Sequence, residues 1–318
     1  MRTSFLLGFV LLHIAGNVVR SQSIAPRAVV PAGGAGAGGG TTLSWTLGQP
    51  ASATFADGNA VATAGVQQPE GVLLSLNIAA LLDGPYDAVT DLMHDSLRVL
   101  GLLPVVEPFT AMGHPPVGLQ GASQLQVPAL LNSGADAIVD WVFVELRGAD
   151  DAGRIDAARA GLVQRDGDVV DMDGSSALRI TVLPGSYRIA LRHRNHLPVC
   201  SQAAVALGTG TNTFDLTTGS HALHVPAAQV QRDGRHLLWQ GDVNGDATVK
   251  YTGTANDRDP VLLAIGGTVP TNTTIGYLPT DVNLDGTVKY TGARNDRDPI
   301  LLTVGGTVPT AVRTQPLP

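Results

Sequence analysis

Runs of apolar residues, interrupted by turns, dominate the middle of the chain. Val72–Leu82 is a long apolar run that predicts a buried strand, and Ala137–Arg147 is apolar on both alternate faces, as expected for a central strand. Leu178–Val182 and Tyr187–Arg194 are further strand-like segments on either side of a short turn. Because short strands joined by turns pair most easily with their neighbours, we predict an antiparallel β-sandwich over residues 71–217.

The last third of the chain follows a different pattern, in which one unit occurs twice. Asp242–Thr271 and Asp281–Thr310 differ at only seven of thirty aligned positions, which indicates a repeated supersecondary unit. Each copy predicts a short helix, at Pro260–Ile265 and at Pro299–Val304, because proline suits the first helical position and the following Gly-Gly suits the end. We predict a small α/loop tandem module over residues 237–318.

Each copy opens with Asp-x-Asn-x-Asp, a spacing that points to a bound cation. The first copy supplies Asp242, Asn244 and Asp246. Oxygen side chains at alternate positions of a tight loop surround a hard cation, and Ca²⁺ takes several oxygens at about 2.3–2.6 Å. The acidic segment Asn-Asp-Arg-Asp follows in both copies and adds carboxylates. We therefore predict two Ca²⁺ sites, one in each repeat.

This opening resembles the calcium loop of type I dockerin modules, which are tandem EF-hand-like loop–helix repeats. The resemblance covers only the C-terminal repeats, and it implies that side-chain oxygens and one main-chain carbonyl of each loop hold the ion. It implies these ligands: Asp242, Asn244, Asp246 and the carbonyl of Thr248 in repeat one, and Asp281, Asn283, Asp285 and the carbonyl of Thr287 in repeat two. It also implies a module that docks a cohesin-like protein partner, in an extracellular setting often linked to polysaccharide.

The repeats depart from the dockerin pattern at the position that closes the calcium shell. Position 12 is Gly253 or Gly292, where the family has a carboxylate at the start of the helix. We interpret Tyr-Thr-Gly-x-x-Asn as a segment inserted between loop and helix. Two pairs are alternatives for the closing carboxylates: Asp259 and Asp298 by alignment of the apolar helix positions, or Asp257 and Asp296 if the first pair instead caps the helices.

The sixth loop position differs between the copies. It is Ala247 in repeat one and Gly286 in repeat two. The sharp turn at this position usually needs a positive φ, which costs a residue with a Cβ about 1 kcal/mol relative to glycine. We therefore predict that repeat one binds calcium more weakly than repeat two, and that Ala247→Gly tightens it.

Two weaker resemblances concern the rest of the chain. The turn Leu183-Pro184-Gly185-Ser186 between two strands is similar to a hairpin of carboxypeptidase-regulatory or transthyretin-like β-sandwich domains. Residues 41–70 begin near Ser-Trp-Thr-Leu-Gly-Gln-Pro and end at Gln-Gln-Pro-Glu, and in this they resemble the start of uncharacterised secreted bacterial proteins. We predict a small β unit there. These resemblances imply a fold and an extracellular address, and they imply no chemistry.

The N-terminus has the pattern of a secretory signal followed by a linker. Arg2 precedes the apolar run Phe5–Ile14, which is too short to span a bilayer, so residues 1–21 are predicted to be a signal peptide. Residues 22–40 end in a glycine-rich tract and are predicted to be a flexible linker. No later stretch predicts a membrane span. We expect the protein outside the cell or at its surface.

Composition narrows the choice of function. The formal net charge of −7 provides no basic field for nucleic acid. The chain has 38 glycines, 20 prolines and only 4% aromatic residues, which favours short strands and turns over long helices. Cys200 is the only cysteine, so an internal disulfide is impossible and a bound metal is an alternative source of stability.

One histidine-rich segment allows two interpretations. His193, His196 and Cys200 have the spacing His-x₂-His-x₃-Cys, which is suitable for zinc or copper. Alternatively, the segment continues a strand with His193 on its inner face, and Arg188, Arg192 and Arg194 then belong to the solvated face. We predict the second arrangement.

The sequence predicts no catalytic residue, because no acid–base pair or nucleophile with its base stands out. We expect a secreted, non-catalytic calcium-binding protein whose C-terminal module stabilises the chain or docks a partner. The alternatives are a secreted carbohydrate-active hydrolase with its catalytic domain over Val72–Thr217, and a surface adhesin. The scarcity of aromatic residues that stack on sugars argues against the hydrolase.

Overall fold

The structure is a computed structural model, which describes residues 71–118 and 123–318 in full. Before residue 71 it describes the backbone of four strands: Ala32–Gly38 (β1), Thr41–Leu47 (β2), Ala53–Asp57 (β3) and Ala60–Ala64 (β4). β1 pairs antiparallel with β2, and β3 pairs with β4. The tract predicted to be a linker therefore contains a strand, because glycine keeps both backbone hydrogen-bonding groups. The predicted signal peptide at 1–21 lies outside the described residues.

The described part of the chain is mainly β, with several antiparallel sheets and few helices, as the sequence predicts. The remaining strands are Val72–Ala79 (β5), Leu81–Leu82 (β6), Tyr86–Asp87 (β7), Leu92–Met93 (β8), Ile138–Gly148 (β9), Ile155–Gln164 (β10), Asp168–Val170 (β11), Leu178–Val182 (β12), Gly185–Arg192 (β13), Val199–Cys200 (β14), Val205–Leu207 (β15), Asn212–Asp215 (β16), Gln229–Arg232 (β17), Arg235–Leu238 (β18), Thr248–Lys250 (β19), Thr273–Ile275 (β20), Thr287–Lys289 (β21) and Val312–Thr314 (β22). The helices are Ser96–Val99 (α1), Arg258–Ala264 (α2) and Arg297–Thr303 (α3), with 3₁₀ turns at Val127–Leu131 and Gly134–Asp136.

Nine strands form the main sheet. Its order is β12-β5-β11-β10-β9-β13-β14, with β15 joined to β13 and β16 joined to β5. Neighbouring strands are antiparallel except for β16, which runs parallel to β5. The strand predicted at Ala137–Arg147 is β9, and all of its residues are buried. A continuous apolar sequence thus gives a strand that is covered on both faces.

The first strand of this sheet differs from its prediction. β5 alternates between buried and exposed residues, with Leu74, Leu76 and Ile78 buried and Leu73 57% exposed. The predicted strand at Val72–Leu82 is thus present as β5, but it is buried on one face only. The polar residues Ser75 and Asn77 stand at the exposed alternate positions, as the pleat of a strand with one buried face requires.

The C-terminal repeats are interlocked. β20, which follows the helix of repeat one, pairs with β21 in the loop of repeat two. β22, which follows the helix of repeat two, pairs in turn with β19 in the loop of repeat one. Each helix also packs against the loop strand of the other repeat. Because each loop is completed by a strand outside its own repeat, the two repeats form one folding unit.

The repeat helices lie near their predicted bounds, but each starts two residues before the predicted proline and ends one residue before Ile265 or Val304. Thus α2 starts at Arg258 and α3 at Arg297. Each is followed by a Gly-Gly pair with positive φ, which in repeat one is 105° at Gly266 and 78° at Gly267. Only glycine adopts such a backbone without strain, so the pair ends the helix as expected.

The main sheet and the repeats pack together. Residues 70–318 belong to one compact unit. Leu284 of repeat two is 1% exposed and lies in the apolar core of the main sheet, while Val249, Val261, Val288 and Ile300 form a second core between the repeats. Among the described residues, no helix has the length and apolar character needed to cross a membrane.

Candidate metal centre

Loop one (residues 242–248) is closed by hydrogen bonds from its own backbone to its side chains. Asn244 Oδ1 accepts a hydrogen bond from the N–H of Asp246 at 2.9 Å, and Asp246 Oδ1 accepts one from the N–H of Thr248 at 2.9 Å. Asp242 Oδ2 accepts from the N–H of Ala247 at 3.1 Å. Asn and Asp favour such local bonds in turns. These bonds hold residues 242–248 in a tight turn.

Loop two (residues 281–287) has the same internal bonds. Asn283 Oδ1 accepts from the N–H of Asp285 at 2.9 Å, and Asp281 Oδ2 accepts from the N–H of Gly286 at 2.9 Å. One difference is a cation: Arg294 Nε lies 3.6 Å from Asp285 Oδ2, whereas repeat one has an alanine in the place of Arg294. The recurrence of the bonds shows that the Asp-x-Asn-x-Asp pattern itself sets the shape of both loops.

A fully buried carboxylate closes each loop. Asp257 Oδ1 accepts from the N–H of Val243 at 2.8 Å, and its Oδ2 accepts from the N–H of Lys250 at 2.8 Å. Asp296 makes the equivalent bonds to the backbone of loop two. These carboxylates immediately precede the helices, so they join the start of each helix to both ends of its loop.

The other pair of acids lies away from the loops. The side chain of Asp259 is 59% exposed, and it accepts hydrogen bonds from Arg258 and from Asn256. Asp298 is 52% exposed and makes the same contacts in repeat two. Alignment of the apolar helix positions had favoured Asp259 and Asp298, whereas the structure brings Asp257 and Asp296 to the loops. The inserted segment changes the register in which the helix meets the loop.

Each loop contains one strained residue that is not glycine, at different positions. In loop one the fourth position is Gly245 with φ 73° and the sixth is Ala247 with φ 61°. In loop two the fourth position is Leu284 with φ 59° and the sixth is Gly286 with φ 85°. The strain that we predicted at Ala247 is therefore present, but Leu284 gives loop two a comparable strain. Backbone strain alone does not make loop one the weaker site.

The acids at the first and closing positions are hard to ionise without a cation. Burial, Asp257 and Asp246 raise the pKa of Asp242 to about 7. Burial likewise raises the pKa of Asp281 to about 6. For the closing acids, burial raises the pKa of Asp257 to about 6 and that of Asp296 to about 7. A nearby cation would reverse this preference, because it favours the charged carboxylates.

One buried oxygen in loop one has no hydrogen-bond partner. Asp242 is only 4% exposed, and its Oδ1 neither receives a hydrogen bond nor reaches water. The charges that act most strongly on this carboxylate are those of Asp257 and Asp246, the acids of the same loop. A buried carboxylate oxygen without a hydrogen-bond partner is compatible with a cation that takes oxygen ligands.

The described residues contain no group of three or more His, Cys, Asp or Glu side chains placed to hold a metal. This result holds for His193, His196 and Cys200, and it holds equally for the Asp side chains of the two loops. The Cys200 thiol instead donates to the carbonyl of Ser201. In the two loops, the remaining predicted donors are an Asn amide oxygen and a main-chain carbonyl, which Ca²⁺ accepts as readily as carboxylates.

Sequence reasoning missed a buried polar network beneath loop two. Asp140 Oδ2 accepts from Arg194 Nε at 2.9 Å, and Asp140 Oδ1 accepts from Tyr277 Oη at 2.7 Å. Although burial opposes ionisation, Arg194 and His193 lower the pKa of Asp140 to about 2. The prediction that Arg194 is solvated is wrong, since its side chain is 1% exposed. A charged residue just beyond a strand gives no sign in sequence of a partner far along the chain.

No protein-family model, curated protein or solved structure matches this chain.

Proposed function

We propose that residues 237–318 form a tandem calcium-binding module of dockerin-like character, and that calcium stabilises the protein in an extracellular setting. The observation that carries this proposal is the buried Oδ1 of Asp242, which lacks a hydrogen-bond partner while the charges of Asp257 and Asp246 act on the same carboxylate. Burying like charges together without a counter-ion is unfavourable, and a divalent cation removes that cost.

Each ion would be held by the first, third, fifth and seventh positions of its loop and by the closing carboxylate. For loop one these are Asp242, Asn244, Asp246, the carbonyl of Thr248, and Asp257. For loop two they are Asp281, Asn283, Asp285, the carbonyl of Thr287, and Asp296. The ion would supply positive charge and would join each loop to its helix, so its role is structural and no reaction is assigned to it.

Calcium binding adds to stability by mass action. A site that binds only the folded state contributes about 2.7 kcal/mol when free calcium is a hundredfold above the dissociation constant. We expect dissociation constants of about 10⁻⁴–10⁻³ M or tighter, the range of extracellular modules. Bound calcium would in this way add to the stability of a protein that has no internal disulfide.

More widely, we propose that the chain is a non-catalytic secreted protein whose module docks a protein partner. The signal peptide expected at residues 1–21 would direct its export. Exposed leucines support docking: Leu263 of α2 is 73% exposed, and the equivalent Leu302 of α3 is 61% exposed. These exposed apolar side chains, at matching positions of the two helices, are the contacts that we propose for a cohesin-like partner. An extracellular polysaccharide is the alternative partner.

Calcium titration of the full chain by calorimetry, with thermal unfolding followed in parallel, tests the calcium proposal. We expect two binding events and a rise in melting temperature that a chelator reverses. Asp242→Asn should remove one event, whereas the control Asp259→Asn should retain both, because Asp259 faces solvent. Absence of binding heat and identical melting with and without chelator would show that the loops are turns only.

A further inference from the structure

The two loops have nearly the same sequence but different surroundings. In loop one Asn244, Gly245 and Asp246 are exposed. In loop two the residue in the place of Gly245 is Leu284, which is 1% exposed and packs in the core of the main sheet. Loop two therefore forms part of the interface between the repeats and the main sheet, whereas the tip of loop one faces solvent.

Two close approaches show how tightly this interface is packed. Gly84, which follows β6, lies so close to loop two that a Cβ there would stand 2.4 Å from the carbonyl oxygen of Val282. A Cβ on Gly286 would stand 2.6 Å from Leu100 Cδ1. A Cβ at Gly245 of loop one would meet no atom within 4 Å. The backbone of loop two has almost no freedom to move unless the interface opens.

A hydrogen bond fixes loop two from the sheet side as well. His94 and Asn283 of loop two line the same cavity. Asn195 Nδ2 donates to the main-chain oxygen of Asp281 at 2.7 Å. Asn283 and Asp281 both carry side chains that we assign to the ion. Asp281, the first residue of loop two, is thus directly bonded to a residue that precedes the module.

We propose that the calcium ion of loop two locks the C-terminal repeats onto the main sheet, and that the ion of loop one exchanges with solvent. This inference rests on the proposed calcium binding. The two ions should differ in exchange rate because the acids at the fifth loop position differ in exposure. The side chain of Asp285 is 10% exposed, whereas Asp246 is exposed. Water can replace calcium at Asp246, but at Asp285 it must first enter the interface.

A matched pair of variants at the fifth position tests the lock in the full chain. Asp285→Asn should abolish most of the calcium-dependent rise in melting temperature, while Asp246→Asn should remove one binding event and retain most of that rise. Asp246→Asn keeps the calcium site of loop two, and Asp285→Asn keeps that of loop one. Calcium release into a fluorescent chelator should be at least about tenfold slower from Asp246→Asn than from Asp285→Asn, because the interface around loop two must open before its ion can leave. Equal temperature losses and equal release rates would overturn the lock.

A wedge in the interface provides a second test that alters no ligand. Gly84→Ala places a methyl group against Val282, and we expect it to weaken calcium binding at loop two about tenfold, with loop one unchanged. Gly210→Ala is the control, because a Cβ at Gly210 meets nothing within 4 Å and its φ is not positive. Unchanged binding in Gly84→Ala would count against the lock.

Hydrogen exchange of the unaltered chain completes the test without any variant. The lock predicts that calcium protects the amides of residues 94–102, which lie on the sheet side of the interface. This protection should be lost at the same rate as the calcium ion that is released more slowly, the ion of loop two. If calcium protects only the repeats, the lock is wrong while calcium binding stands. If the chain binds no calcium at all, the proposed function itself is wrong.

Discussion

Asn195 Nδ2 donates a hydrogen bond of 2.7 Å to the main-chain oxygen of Asp281, the first residue of loop two. The same amide group donates to the carbonyl of Pro279 at 3.0 Å. Asn195 is completely buried, and the neighbouring Arg194 donates to the carbonyl of Leu278. The chain that leaves the main sheet therefore satisfies the buried backbone of the segment that enters loop two.

Removing this amide should loosen loop two. Asn195→Ala leaves the carbonyls of Pro279 and Asp281 without a partner in a buried place, and we expect a loss of about 2 kcal/mol in the free energy of unfolding. Calcium affinity should fall at loop two and remain the same at loop one. Urea unfolding and calorimetric titration measure the two effects, and an equal loss of affinity at both loops would contradict the prediction.

The Asp140–Arg194 ion pair should contribute more to the free energy of unfolding than the hydrogen bond from Tyr277 to Asp140. Arg194→Met leaves the fully buried Asp140 carboxylate without its guanidinium, which should cost about 3–5 kcal/mol of unfolding free energy. Tyr277→Phe removes one hydrogen bond to the same carboxylate and should cost about 1 kcal/mol. Urea unfolding of both variants gives the comparison. Similar small losses in both would mean that the ion pair adds little.

The sequence predicted the local structure of the repeats well. The Asp-x-Asn-x-Asp spacing predicts the loops, and Pro260 with the following Gly-Gly predicts the helix near its observed bounds. These features depend on residues close in the chain. The surroundings of the loops were not predictable in this way, because Leu284 and Asn195 owe their roles to contacts across more than eighty residues. Likewise, only the fold shows that Asp257, rather than Asp259, reaches its loop.

Two glycines at positive φ should respond differently to alanine. Gly245→Ala introduces only backbone strain, about 1 kcal/mol, because the space around it is open. Gly286→Ala adds the same strain and also pushes on Leu100, so we expect a loss of about 2 kcal/mol or more. Thermal unfolding in saturating calcium makes the comparison. Equal losses would show that Leu100 moves aside freely.

Relief of strain in loop one should tighten its ion. Ala247 has a φ of 61°, and Ala247→Gly removes a cost of about 1 kcal/mol, which corresponds to roughly fivefold in the dissociation constant. The matched variant in loop two, Leu284→Gly, removes similar strain but also a buried leucine, so it should destabilise the protein. Calcium titration of the full chain is the measurement, and an unchanged affinity in Ala247→Gly would contradict the prediction.

The stabilising effect of calcium should grow as the pH rises from about 4 to 7. Without calcium, burial raises the pKa of Asp242 and Asp296 to about 7, from an ordinary value of 3.8. The folded state then binds more protons than the unfolded state, so stability falls as the pH rises through this window. With saturating calcium the carboxylates are ionised at lower pH, and this loss disappears. The titration of buried histidines, including His193, affects stability equally with and without calcium, so its contribution cancels in the difference between the two conditions. Urea unfolding in calcium-free and calcium-saturated buffer at pH 5 and 7 measures that difference, and a gap that shrinks toward pH 7 would contradict it.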